Sequence, residues 1–253
     1  MADINLTLGI FDYDHVRDLT TGRVKPEGIE LTCLQMEPVE TFGRFLAHQD
    51  WDVSELSFGN ICATLDRGDA PFVLIPVFPS RIFRISAIFV HSDGGIDRPD
   101  DLTGKRVGQP KWTQTATIWA RGWITGTVGI PLADIKWVQM ADTPFELPGG
   151  ANLTHMPGGS LVDLLLAGEL DAIIAARPPR AFLDGDPRIR RLVPDYRRAE
   201  EAYFNEAGIF PIMHAIAIKR RIFEANPWIA RNLLNAFEKA KNNSVRRLHE
   251  LDA

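Results

Sequence analysis

Apolar and polar positions alternate along Ile4 to Ile10, and that period of two predicts a strand with one buried face. Asp14 to Thr20 has a short helical pattern, with Gly22 placed as its C-terminal cap. Ile29 to Met36 reads as the next strand. Pro38 to His48 then carries Val39, Phe42, Phe45 and Leu46 at helical spacing. A third strand begins at Trp51 to Val53 and is expected to run out at Ser54-Glu55, ahead of a helix from Phe58 to Arg67. Phe72 to Phe78 is apolar, but Pro76 and Pro79 withhold ladder donors and predict an edge or irregular strand. Strands alternating with helices at this spacing imply βαβ crossovers, hence a parallel or mixed sheet covered by helices.

The texture changes after the apolar strand Ala87 to Val90, which ends in His91-Ser92-Asp93-Gly94-Gly95. A second α/β block follows: strand Arg106 to Gly108, helix Thr115 to Thr127, strand Ile135 to Val138, helix Ser160 to Ala167 and a buried strand Asp171 to Ala176. The chain is expected to cross back near Asn205 to Pro211, into a strand Ile212 to Ile218 and an amphipathic helix Pro227 to Lys241 that starts on proline. The pattern therefore predicts two α/β lobes, residues 1–90 with 210–253 and residues 91–209. Ligand is expected in a cleft between them, outside the C-terminal ends of strands.

Composition narrows the partners. The 253 residues carry 28 Lys+Arg and 33 Asp+Glu, a net charge of −5 that argues against nucleic acid, since phosphate binding needs clustered positive charge. A small anion needs only a few arginines. Cys33 and Cys62 are the sole cysteines, too few for a disulfide framework. Met1 to Leu6 has no basic, apolar leader pattern, and no stretch approaches the ~18 apolar residues of a membrane helix. A soluble cytoplasmic protein without membrane insertion is the expectation; the sequence leaves the oligomeric state open.

Several side chains have both a chemical and a plain structural reading. Ser54, Glu55 and Ser57 follow the third strand, where they would face a ligand, although either serine could cap the next helix and Glu55 could complement its N-terminus. Arg81 and Arg84 lie in an apolar stretch and need an anionic partner, a substrate carboxylate or a surface Asp or Glu. Thr113 and Thr115 join a strand to a helix start, where hydroxyls and free N–H groups suit an anion or a capping turn. Arg177 directly follows a buried strand and is favoured over Arg180 as a ligand arginine. His214, between bulky apolar neighbours at the return crossing, reads as a satisfied core histidine or as a ligand-facing one. No HExxH pattern, paired metal carboxylates, glycine-rich nucleotide loop or G-x-S-x-G elbow occurs, so neither metal nor nucleotide cofactor is expected.

Together, Tyr13-Asp14, Gly22-Arg23-Val24, Pro26-Glu27-Gly28-Ile29, Asp52 to Ser57, Pro76 to Arg84, Asp101 to Gly108 and Gly208 to His214 resemble the 4,5-dihydroxyphthalate decarboxylase family. Ser80-Arg81 and Phe210 to His214 are the most diagnostic pieces. That family is a cytoplasmic relative of the type II periplasmic solute-binding proteins, so the resemblance implies a two-lobe α/β fold of that type. It also implies an enzyme that removes CO2 from a hydroxylated aromatic carboxylate, such as 4,5-dihydroxyphthalate, without an organic cofactor, giving protocatechuate. Arg81, Arg84 and Arg177 would then hold carboxylates and Ser54, Thr113 and Thr115 would assist. His214 or Glu55 would transfer protons, His214 being preferred because an imidazole titrates near neutrality. Two departures stand out. Family chains continue beyond the amphipathic helix, so this one is expected to stop short at Ala253, and Gln109-Pro110-Lys111-Trp112 replaces an acidic-aromatic pair. The competing readings are a non-catalytic receptor for a small carboxylate and a biosynthetic enzyme of the same fold acting on a thiamine or menaquinone precursor.

Overall fold

In the computed structural model, which describes residues 3–141, 147, 150–156 and 158–251, the alternating stretch Ile4–Ile10 is strand β1. A 3-10 turn over Asp14–Val16 and helix α1 (Arg17–Thr20) follow, and Gly22 takes the left-handed φ of +73° expected of a cap. Next come β2 (Ile29–Gln35), α2 (Pro38–His48), β3 (Val53–Ser57), α3 (Phe58–Asp66) and β4 (Phe72–Arg81). The middle of the chain forms β5 (Ile88–His91), β6 (Arg106–Gln109), α4 (Thr115–Trp123), β7 (Lys136–Gln139), β8 (Asn152–His155), α5 (Leu161–Leu166), β9 (Ala172–Ile174), α6 (Arg180–Leu183), β10 (Ile189–Arg191) and α7 (Tyr196–Ala207). The last elements are β11 (Ile212–Lys219), α8 (Arg220–Ala225) and α9 (Ile229–Leu251). Among the described residues no helix is long and apolar enough to cross a membrane.

The chain divides into two compact units, Met1–Arg81 with Ile212–Ala253, and Ile82–Pro211. The first holds a sheet in the order β2-β1-β3-β11-β4. β1 runs parallel to β2 and β3, whereas β11 runs antiparallel to both β3 and β4. Apolar residues leave this sheet on both faces. Leu8, Ile10, Val53, Ile216 and Ile218 pack with Ile229, Leu233 and Phe237 of α9. Leu56, Ala215 and Ala217 pack with Phe42 and Phe45 of α2, Trp51 and Phe72. At Gly9 a Cβ would lie 2.5 Å from the Trp51 indole, so only glycine admits that ring beside β1. α9 is further tied to α1: Arg247 donates to both carboxylate oxygens of the buried Asp18 at 3.0 and 2.9 Å, and Asn243 adds a bond of 2.9 Å.

The second unit holds a sheet in the order β10-β5-β9-β6-β7-β8. β9, β6, β7 and β8 are parallel neighbours, and β5 is antiparallel to β9 and β10. Trp112, Trp123, Ile124 and Trp137 fill one face and Phe89, Val138, Leu165 and Ile173 the other.

Two expectations are corrected here. The strand around Ala87 to Val90, placed by its pattern at the end of the first lobe, pairs as β5 with β9 and β10, so the crossing falls after Arg81. Its apolar run cannot reveal which sheet it joins, because pairing is set by partners about a hundred residues away. The third strand does not run out at Ser54-Glu55 either; it continues to Ser57, since β11 pairs with it from Ile218↔Val53 to His214↔Ser57. The edge position predicted for the proline-containing strand is met by β4, which extends to Arg81.

Candidate functional site

Glu55 has no solvent exposure, and a carboxylate without water must find donors in the protein. It finds three. The Phe11 backbone N–H donates to Oε2 at 3.0 Å, the Tyr13 hydroxyl donates to Oε1 at 2.7 Å, and His214 Nδ1 lies 2.6 Å from Oε1. The Tyr13 hydroxyl also sits 3.3 Å from His214 Nδ1, closing a triangle of polar atoms. Phe11 and Tyr13 come directly after β1, where the chain leaves the C-terminal end of a parallel strand, the usual place for function in α/β sheets.

The sheet register explains how residues 159 apart in sequence meet. Glu55 faces Ile216 and His214 faces Ser57, so Glu55 and His214 are diagonal neighbours on one face of the β3–β11 pair. On the other side of β11 the pairing with β4 shifts register on both sides of His214, which lies across from Ser80. Such irregularities redirect a side chain. Phe42 meets the imidazole edge-on at a centroid distance of 4.8 Å and fixes its plane. With Nδ1 engaged by Glu55, Nε2 is the nitrogen left to meet a ligand. The His214 side chain is 16% exposed.

The other predicted residues are distributed as follows. Ser54 is fully buried and its hydroxyl donates to the Glu55 carbonyl at 2.8 Å, so its expected role toward a ligand is corrected to a backbone contact. Ser57 occupies the N-cap position of α3, but its side chain makes no capping bond. Arg81 ends β4, exposed and across from Ile212. In the second unit, Arg84 donates to the Ala176 carbonyl at 2.8 Å, and burial pulls its guanidinium down to about 10, with Glu200 opposing. That bond brings Arg84 to the residue before Arg177, which is exposed just past β9. Thr113 and Thr115 are buried where β6 turns into α4.

Arg121 and Tyr13 were not among the expected site residues. Arg121, on α4, is buried over the face of Trp112 at 3.9 Å and bonds Gln109 Oε1 at 2.5 Å and the Trp112 carbonyl at 2.7 Å. It thereby pins the turn that carries Thr113 and Thr115. Burial lowers it to about 9. An arginine among the apolar Ala116, Ala120 and Trp123 was the available signal. For Tyr13 the signal was its place immediately after a strand end.

Two α/β units, the first built from both ends of the chain, define a fold of the two-lobe, type II periplasmic-binding-protein-like class. Solved structures agree. The periplasmic aliphatic sulphonate binding protein SsuA from Escherichia coli aligns with 98% of this chain and 76% of its own at a TM-score of 0.62 and 13% identity. The alkanesulfonate-binding protein SsuA from Xanthomonas axonopodis pv. citri, bound to MOPS, covers 100% of this chain and 80% of its own at 0.57 and 13%. At such identity the likeness concerns the fold alone. The chain belongs to the 4,5-dihydroxyphthalate decarboxylase family. The 4,5-dihydroxyphthalate decarboxylase of Comamonas testosteroni is 33% identical over 262 residues, spanning 100% of this chain and 79% of that protein. The enzyme of the same name from Pseudomonas putida is 32% identical over 213 residues, 81% of this chain and 83% of that protein. No family model matches the sequence.

Proposed function

We propose that this protein is a carboxy-lyase that removes CO2 from a hydroxylated aromatic dicarboxylate, 4,5-dihydroxyphthalate or a close analogue, without an organic cofactor. The observation that carries the reading is the 2.6 Å contact between the buried Glu55 and His214, in a chain whose relatives bear that enzymatic name. An aryl carboxylate departs readily once the ring carbon bearing it has been protonated. A ring hydroxyl para to that carbon pushes electron density toward it, the carbon takes a proton, and the carbon–carbon bond electrons then return to the ring as CO2 leaves. The catalyst must therefore deliver one proton to carbon and accommodate the proton of the hydroxyl. Protonated His214 delivers from Nε2. Glu55, enclosed and accepting on both oxygens, holds the imidazolium rather than touching the ring.

Arg81, Arg84 and Arg177 supply charge for the two carboxylates, with Thr113 and Thr115 as hydroxyl donors. The product, protocatechuate, is still hydroxylated and carboxylated, which suits a step in aromatic breakdown inside the cytoplasm. Incubating the purified protein with 4,5-dihydroxyphthalate should release one CO2 and one protocatechuate per substrate. Binding without CO2 release would instead identify a non-catalytic carboxylate receptor.

A further inference from the structure

Glu55 Oε1 has two claimants. The Tyr13 hydroxyl lies 2.7 Å from it and His214 Nδ1 2.6 Å, while Oε2 is taken by the Phe11 N–H at 3.0 Å. A carboxylate oxygen shared between two donors stabilises each less than it would stabilise one alone, because the first donor withdraws charge that the second would use. We infer that Tyr13 is a positioning residue that shares Glu55 Oε1 with His214 and so makes the imidazolium a readier proton donor.

Several neighbours of the ring are uncharged, and one titratable neighbour stands behind Tyr13. Among the described residues, Phe42 from α2 meets the His214 ring, and Ser57 of β3 and Ser80 of β4 lie across from His214; these three carry no charge. Among the described residues, Glu55 and Tyr13 are titratable groups within hydrogen-bond reach of His214 Nδ1. Behind Tyr13, His15 stacks on the phenol at a centroid distance of 5.2 Å. Burial holds His15 below the ordinary histidine range, its bond with the Pro79 carbonyl and the charges of Asp14 and Glu55 act against that, and Lys241 acts with it. Burial thus disfavours a charge on His15 beside the pair. The Tyr13 ring is held independently of its hydroxyl, by the His15 stack and by an edge contact to Phe11 at 5.1 Å. Tyr13→Phe therefore deletes the shared bond and keeps the packing.

The sign follows. Without the phenol, Oε1 belongs to His214 alone, the protonated imidazole gains, and its proton is held to higher pH. Glu55→Gln removes the negative charge and acts in the opposite direction. The inference rests on His214 as the proton donor of the proposed reaction, yet its central readout needs no turnover: the His214 ring signals are titrated by NMR in substrate-free protein. The expected result is an upward move of the His214 titration by about half a pH unit or more in Tyr13→Phe and a downward move in Glu55→Gln. In the decarboxylation assay, the kcat limb of Tyr13→Phe should move upward in step, with kcat reduced and KM within about twofold of wild type. A His214 titration in Tyr13→Phe that stays in place or moves down overturns the inference, including the case where only the melting temperature falls, as a purely structural tyrosine would give. A wild type that titrates and shifts as stated but releases no CO2 sinks the decarboxylase reading and leaves the coupling standing.

Discussion

His214 has two ring nitrogens with different duties, and substitution should separate them. Nδ1 is spent on Glu55, so in the proposed reaction Nε2 is the nitrogen that would meet substrate. His214→Ala should cut kcat by about a hundredfold or more, the range for loss of a general acid, while substrate binding persists within a few-fold. Arg81→Lys keeps the charge at the end of β4 but loses the planar fork, so kcat/KM should fall about tenfold with an unchanged melting temperature. Steady-state kinetics and thermal melts on both variants check this pair. Wild-type turnover per folded His214→Ala molecule would leave the imidazole with no part in proton transfer, and an Arg81→Lys protein with normal kinetics would return Arg81 to the solvated surface.

Strands and helices were legible where the whole signal lies within one element. β1 and α2 fall on their predicted residues because alternation in one and a 3.6-residue apolar stripe in the other need no outside partner. β3 was cut short because Ser54, Glu55 and Ser57 look like a polar loop until β11 supplies the ladder that holds them. β8 and β10, four and three residues long, carry too few positions for a period to show. His214 and Glu55 were both visible as chemistry, but their contact depends on a register that no local pattern encodes. Tyr13 had a local signal in its place after β1, but its contact with Glu55 brings together residues 42 apart in sequence, and nothing near Tyr13 shows that. At this scale one variant tests the packing: Gly9→Ala drives a methyl into the Trp51 indole, 2.5 Å from the position of the added carbon. It should destabilise the protein by about 1–3 kcal/mol as overpacking does. Urea unfolding measures it, and a wild-type midpoint would mean that the indole gives way without cost.

For the molecule as a whole, the order in which the chain leaves the ribosome matters. β11 lies between β3 and β4 in the first sheet, yet it comes after the entire second unit. Until it arrives, β3 and β4 have no common neighbour, each presents open backbone donors and acceptors, and Glu55 has no imidazole. Ile82–Pro211, by contrast, is contiguous and owns its sheet. A chain truncated after Pro211 should therefore contain a protease-resistant second half and a protease-sensitive first half, and a chain that includes Ile212 to Ala253 should be protected in both. Equal resistance of the halves in the truncated chain would contradict it. Glu55 and His214 are thus brought together only when β11 closes the first sheet, so a polypeptide lacking β11 holds the carboxylate without its imidazole, and on the proposed mechanism it would be chemically silent.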